Sequence, residues 1–171
     1  VEIFVGNAIG TGITAQARTS SERLNKQIMA AWNEWCQFCD ADGDLDFYGL
    51  QALAARAMYE SGECFILFRD RGLSSTMRVP LQLQVLEADF LDTAKSTVGE
   101  NGNTIRQGIE FDKQNRRVAY WMWLQHPGEM IVGKASFQSV RVPADMVVHV
   151  FRKLRPGQTR GVTAYAPALV G

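Results

Sequence analysis

Several things are scarce in this sequence, and each scarcity excludes something. Three cysteines in 171 residues are too few for a disulfide framework, which favours a reducing compartment. Eighteen basic residues cancel eighteen acidic ones, so no net charge draws the chain as a whole to nucleic acid, a membrane surface or an acidic substrate. No apolar run approaches the roughly 20 residues that span a bilayer. No charged stretch with a small-residue cleavage site opens the chain, and neither internal repeats nor low-complexity segments interrupt it. An initial methionine is also missing, and "PALVG" ends the chain inside a segment that reads as an unfinished helix. The expectation is a piece excised from a longer protein made in the cytosol.

What is present is ordinary globular material, 46% hydrophobic and 21% charged, enough for one core or a large part of one. The default is a single domain over 1–171, with a helical part at 1–62, a β part at 63–151 and a basic segment at 152–171. In "TSSERLNKQIMAAWNEWCQF", Leu24, Ile28, Trp32 and Trp35 recur at helical spacing with Ala31 and Phe38 alongside. Thr19 and Glu22 have capping-box spacing and predict the start of that helix. "FYGLQALAARAMYE" predicts a second amphipathic helix with Leu50, Leu53, Ala54, Ala57 and Met58 inward, an aspartate before it and Gly62 just after.

Beyond Gly62 the hydrophobic period shortens. "ECFILFR" and "VPLQLQVLE" read as strands, and "TIRQGIEF" and "RVAYWMWLQ" as a hairpin about the turn at Asp112 to Asn115. "VPADMVVHVF" supplies a last strand after a Pro-Ala-Asp turn. Helices first and antiparallel strands afterwards indicate an α+β fold, two N-terminal helices packed on a mainly antiparallel sheet.

The charges are segregated. Asp40, Asp42, Asp44 and Asp46 crowd one loop, while Arg152, Lys153, Arg155 and Arg160 follow Met146 with no acid among them. "DADGDLDFYGLQ" has the first three ligand positions of a calcium loop. Leu45 stands where the sharp turn needs glycine and Gln51 where a bidentate glutamate belongs, so an acidic interhelical loop with an N-capping aspartate is the better reading. Cys36 and Cys39 have CxxC spacing but lie near a helix C-terminus beside acids, where a thiolate is disfavoured. Cys64, His126 and His149 are too scattered for a local zinc or nucleophile-base motif, and His149 reads as a hydrogen-bonded structural imidazole within an apolar strand. "YWMW" places Tyr120 and Met122 on one strand face and Trp121 and Trp123 on the other, which suits a sheet buried on both sides. In "RPGQTRG" the glycines are four apart with no lysine after them, so a phosphate-binding Walker loop fails on spacing. Phosphate contact by the four cations stays open.

The ordered series "GNAIGTGI", "WNEWCQF", "LQALAARAMYESGECF", "LQLQVLEADFLD", "NGNTIRQGIEFDKQNRRVAYWMW", "HPGE" and "RVPADMVVHVFRKLRPGQTRG" resembles the lambda-type phage portal proteins over nearly the whole chain. One departure is local: Thr163, Ala164 and Tyr165 stand where many members have Pro-Trp. The resemblance implies the N-terminal wing or body region of a structural subunit with no catalytic residue, metal or other cofactor. Its basic loop would lead into a stem-directed helix. The whole protein would form a homo-oligomeric ring, usually a dodecamer, at one capsid vertex of the virion, assembled in the host cytoplasm. Implied partners are the terminase large subunit, major capsid or scaffold protein, head-completion proteins and the double-stranded DNA in the channel, with no membrane.

Under that resemblance Asp40, Asp42, Asp44 and Asp46 are expected near Arg152, Lys153, Arg155 and Arg160 of a neighbouring subunit, or near another basic region of the ring. Pro156, Gly157, Gln158 and Gly161 complete a structural joint, in which glycine allows unusual backbone geometry and proline stiffens the entry. The competing classes are a stand-alone nucleic-acid-binding module using the basic loop and a thiol or metal enzyme.

Overall fold

The apolar runs read as strands do form strands, but they divide between two sheets. The computed structural model describes residues 1–72, 77–99, 101–129 and 138–169. One antiparallel sheet has the order β2 (Leu81–Glu87), β1 (Glu63–Asp70), β8 (Val147–Phe151). The other runs β3 (Thr97–Val98), β4 (Thr104–Arg106), β5 (Ile109–Phe111), β6 (Arg117–Met122), β7 (Val140–Pro143). The chain changes sheet between β7 and β8 through a 3-10 turn at Ala144–Met146. The sheets are also stitched where Asp92 N–H donates to Trp121 O at 2.9 Å and Trp123 N–H to Phe90 O at 2.8 Å. The fold is α+β, as expected.

Strand alternation explains the core. Phe65 and Leu67 of β1, Leu86 of β2 and Val147 of β8 meet Ile109, Phe111, Tyr120 and Met122 of the second sheet, all buried. Phe65 and Tyr120 stack edge to face at 5.6 Å. Cys64, on the opposite face of β1, donates to Ala54 O of helix α3 (Phe47–Glu60), so α3 covers the other side of the first sheet. Asp46 N-caps α3 through Gly49 N–H at 2.7 Å, and Gly62 follows its end at φ +90°, both as the sequence implied.

Four expectations need correction. The helix read from Thr19 is α2 (Glu22–Phe38), and Ser21 caps it, its hydroxyl accepting Leu24 N–H. The Thr19 backbone is instead bound on both sides by the Asn25 amide. Of the face assigned to α2 only the C-terminal half packs. Trp32 and Trp35 lie 5.1 and 5.5 Å from the Phe47 ring, and Trp35 Nε1 donates to Leu81 O at 2.6 Å. Leu24 and Ile28 stay exposed, as does Phe38 at the end of the helix, and Leu53 of α3 is exposed as well. "TIRQGIEF" is two strands, because Gln107 and Gly108 both take positive φ and close a tight turn. A Cβ on Gly108 would stand 2.7 Å from Asp92 O, so the turn is pressed against its neighbour. Finally, the second sheet is sealed on one side only: Tyr120 and Met122 are buried while Trp121 and Trp123 are half-buried.

A third helix, α1 (Glu2–Ala8), precedes the two expected, lying on α3 through Phe4 against Tyr59 at 4.6 Å and a Glu2–Arg56 ion pair. Seven residues with a glycine among them and no side-chain cap give the sequence too little periodicity to show it.

Candidate functional site

Glu63 opens β1 directly after Gly62, and the strand is so deeply buried there that the carboxylate is only 2% exposed. An ionised group sealed from water must find donors in the protein. Its Oε2 accepts His149 Nε2–H at 3.0 Å from β8 and the Gly161 N–H at 2.6 Å, while Oε1 is held by the Arg160 guanidinium. Burial pushes the Glu63 carboxyl up, but the His149, Arg160 and Gly161 donors together outweigh it and bring the group down to about 2. Burial lowers His149 from its ordinary value. The imidazole is therefore neutral at pH 7, giving Nε2–H to Glu63 and leaving Nδ1, which has no partner, as an acceptor. Phe65 and Phe151 flank its ring at 4.5 Å.

The backbone is fixed at the same place. A Cβ on Gly161 would lie 2.0 Å from Gly62 O, and one on Gly62 would lie 2.4 Å from the Val162 carbonyl carbon. The two glycines thus lie back to back in a contact that admits no side chain. Gln158, only 8% exposed, organises the loop from within. Its Oε1 accepts the Leu154 and Arg155 N–H groups at 2.7 and 3.3 Å, and its amide donates to the Arg152 and Arg160 carbonyls at 3.3 and 2.7 Å. Gly157 turns the chain at φ +75° after Pro156, and Arg117 of β6 donates to Thr159 O at 3.0 Å. Past the glycine pair, Ala164 N–H and the Thr163 hydroxyl satisfy Tyr59 and Glu60 carbonyls at the C-terminus of α3, and Tyr165 stacks on Tyr59 at 5.5 Å. Thr163, Ala164 and Tyr165 thus dock the segment onto α3. It closes in a 3-10 turn at Ala166–Leu169, and residues 170 and 171, where the expected stem-directed helix would continue, lie outside the described residues.

The structure therefore sorts the residues named from sequence. Gln158, Arg160 and Gly161 converge on one buried network, Gly157 supplies its turn, and Arg152, Lys153 and Arg155 remain exposed with Pro156. Glu63, the centre of the network, escaped the sequence reading. An acid placed directly before the apolar run Cys64 to Phe68 was the available signal, because burial of that run obliges the acid to have partners. The partner lay 97 residues away.

The acidic loop is organised differently. Asp40, 4% exposed, accepts the Asp42 N–H with Oδ1 at 3.1 Å and the Asp44 and Leu45 N–H groups with Oδ2 at 3.0 and 2.9 Å. Its oxygens close the loop on themselves, as an Asx turn does, and are taken from any calcium ion. Asp46 is committed to capping α3, and Asp42 accepts Gln84 Nε2 at 2.8 Å, which leaves the Asp44 carboxylate at the tip beside the exposed Leu45. The base of the loop adds to the first sheet, since Leu83 N–H donates to Cys39 O at 2.6 Å and Ala41 N–H to Leu83 O at 2.8 Å.

The cysteines are buried free thiols. Burial raises Cys36, pushes Cys39 up to about 11 and pushes Cys64 up to about 12, the opposite of an activated nucleophile. Among the described residues, Glu87, Asp89 and His126 are the cluster with metal-ligating atoms in mutual reach, within 4.8 Å. His126 Nδ1 accepts Gly128 N–H at 3.1 Å, and Glu87 and Asp89 are exposed, an arrangement common without a metal. No helix among the described residues is long and apolar enough to cross a membrane.

Fold and site together define a structural module, a two-sheet α+β body with a sealed ionic joint fastening its C-terminal segment. More specifically, the chain belongs to the lambda family of phage portal proteins: the family described as "Phage portal protein, lambda family" matches residues 1–170. The chain is similar to a protein named "Probable portal protein" from Halomonas phage phiHAP-1, at 30% identity over 166 residues, covering 92% of this chain and 32% of that protein. It thus spans about a third of that relative's length.

Proposed function

We propose that this chain is the wing or body region of a structural, non-enzymatic subunit of a portal ring, a dodecamer at a single capsid vertex of the virion. DNA passes through that ring during packaging and ejection. The observation that carries this reading is the portal-family match across residues 1–170. Terminase large subunit, major capsid or scaffold protein and head-completion proteins dock on the assembled ring, which is built in the host cytoplasm. In this role the Glu63–Arg160 joint holds the exit of the wing in one direction, so that every subunit hands its chain onward at the same angle.

Ring closure needs two different surfaces on each subunit. The Asp44 tip of the acidic loop of one subunit faces the Arg152, Lys153 and Arg155 cations of its neighbour, with Asp42 beside it on Gln84. Asp40, Asp46 and Arg160 take no part, because each already serves its own chain. Exposed pairs contribute only about 0–1 kcal/mol each, so they set register more than strength.

Electron microscopy of the intact protein tests the reading: closed rings support it, and a solitary species at every concentration refutes it. Replacing Pro156 and Gly157 by alanine should impair ring closure more than subunit folding, since both lie exposed on the turn, with open space at Gly157, and set the direction of the chain there. A stand-alone nucleic-acid module would instead show duplex affinity that falls steeply with salt and with loss of Arg152, Lys153 and Arg155.

A further inference from the structure

Beside the joint runs a groove of about 470 Å³, walled by Met58 and Tyr59 of α3, Leu154 and Val162 of the loop, and Pro167, with Arg152 at its rim. Its lining is mostly apolar, and Leu154 and Val162 are 62% and 51% exposed among the described residues. Apolar walls at a cationic rim fit an apolar side chain carried next to a carboxylate. Among the described residues the tip Asp44-Leu45 is such an element, with an unengaged carboxylate and a leucine 38% exposed.

The tip lies just before the N-terminus of α3, and the groove lies at its C-terminus. Fourteen residues of helix hold them about 20 Å apart, so a subunit cannot seat its own tip in its own groove. Only a second copy can. The geometry points to a head-to-tail contact in which Leu45 of one copy enters the groove of the next and Asp44 meets Arg152. This rests on the ring reading and gives it a specific apolar contact beyond loop-to-loop charge.

The test uses the intact protein and measures the concentration at half assembly by mass photometry and sedimentation. Asp44→Lys and Arg152→Glu should each raise it about tenfold or more, and the two together in one chain should bring it back to within about threefold of the parent. Leu45→Ser should raise it without being rescued by Arg152→Glu. All three substitutions alter exposed side chains, so the melting midpoint of the unassembled subunit should stay unchanged, which separates lost contact from lost fold. Rings that form normally in both single charge variants overturn the groove contact and leave the ring reading standing. The same holds if the charge swap fails to rescue, or if the variants lose only salt-dependent duplex binding. A parent protein that never assembles overturns both.

Discussion

Neutralising Glu63 without changing its shape is the most searching test of the joint. In Glu63→Gln the amide offers one acceptor where the carboxylate offered two, so either Arg160 or the His149 and Gly161 donors lose their partner. A fall in pKa from 4.5 to about 2 corresponds to about 3 kcal/mol at ~1.36 kcal/mol per unit. Breaking a buried pair from one side costs about 3–5 kcal/mol, which agrees. For a region of 171 residues that predicts a melting point lower by about 6–12 °C. Because the folded-state pKa is depressed, the stabilisation is complete above pH 4.5 and disappears as pH falls toward 2. His149, also depressed, adds a loss in the same direction that begins as pH drops below 6.5. Calorimetry of parent and variant across pH 2–8 should show curves well separated at neutral pH that converge toward pH 2. Hydrogen exchange should quicken at the Gly161 amide. Curves separated by less than 1 kcal/mol at pH 7, or parallel between pH 4.5 and 2, would refute the network as described.

Gly161→Ala must push a methyl group to within 2.0 Å of Gly62 O, so it should destabilise by several kcal/mol; combined with Gly62→Ala it should cost less than the sum, because both jam the same contact, as chemical denaturation would show. Asp40→Ala frees three backbone N–H groups and should cost about 1–3 kcal/mol, with Asp40→Asn intermediate in the same assay.

The legible parts of the sequence were those that local chemistry settles. Asp46 and Gly62 mark the ends of α3 because capping and positive φ are decided within a few residues. The β1, β2 and β8 runs are read from their own apolar pattern. What stayed hidden depends on partners far along the chain. Gln107 is not a usual turn residue, and its positive φ follows from the two-residue loop that the Arg106–Ile109 pairing leaves, which needs positive φ at both positions. The exposed turns of α2 look as amphipathic as the packed ones, since periodicity reports a face without reporting what lies against it. At the site, the basic loop and its glycines stood out by composition. That Arg160 is spent on Glu63 while Arg152, Lys153 and Arg155 stay free follows only from a strand pairing that brings residues 63, 149 and 161 together.

That sorting bears on why the joint is ionic at all. Replacing a buried ion pair by apolar groups of similar volume is often neutral or stabilising by about 1–4 kcal/mol, so the Glu63–Arg160 pair is weak evidence for stability as such. A carboxylate that takes a backbone N–H and an imidazole N–H on one oxygen and a guanidinium on the other has one satisfactory arrangement; a methionine pair has many. Direction is what the pair supplies. Glu63→Met with Arg160→Met should therefore melt close to the parent, while hydrogen exchange through residues 158–163 rises and closed rings give way to open or irregular assemblies in electron micrographs. A double variant that keeps both parental exchange and regular rings would reduce the network to packing, with the Gly62–Gly161 contact alone aiming the chain.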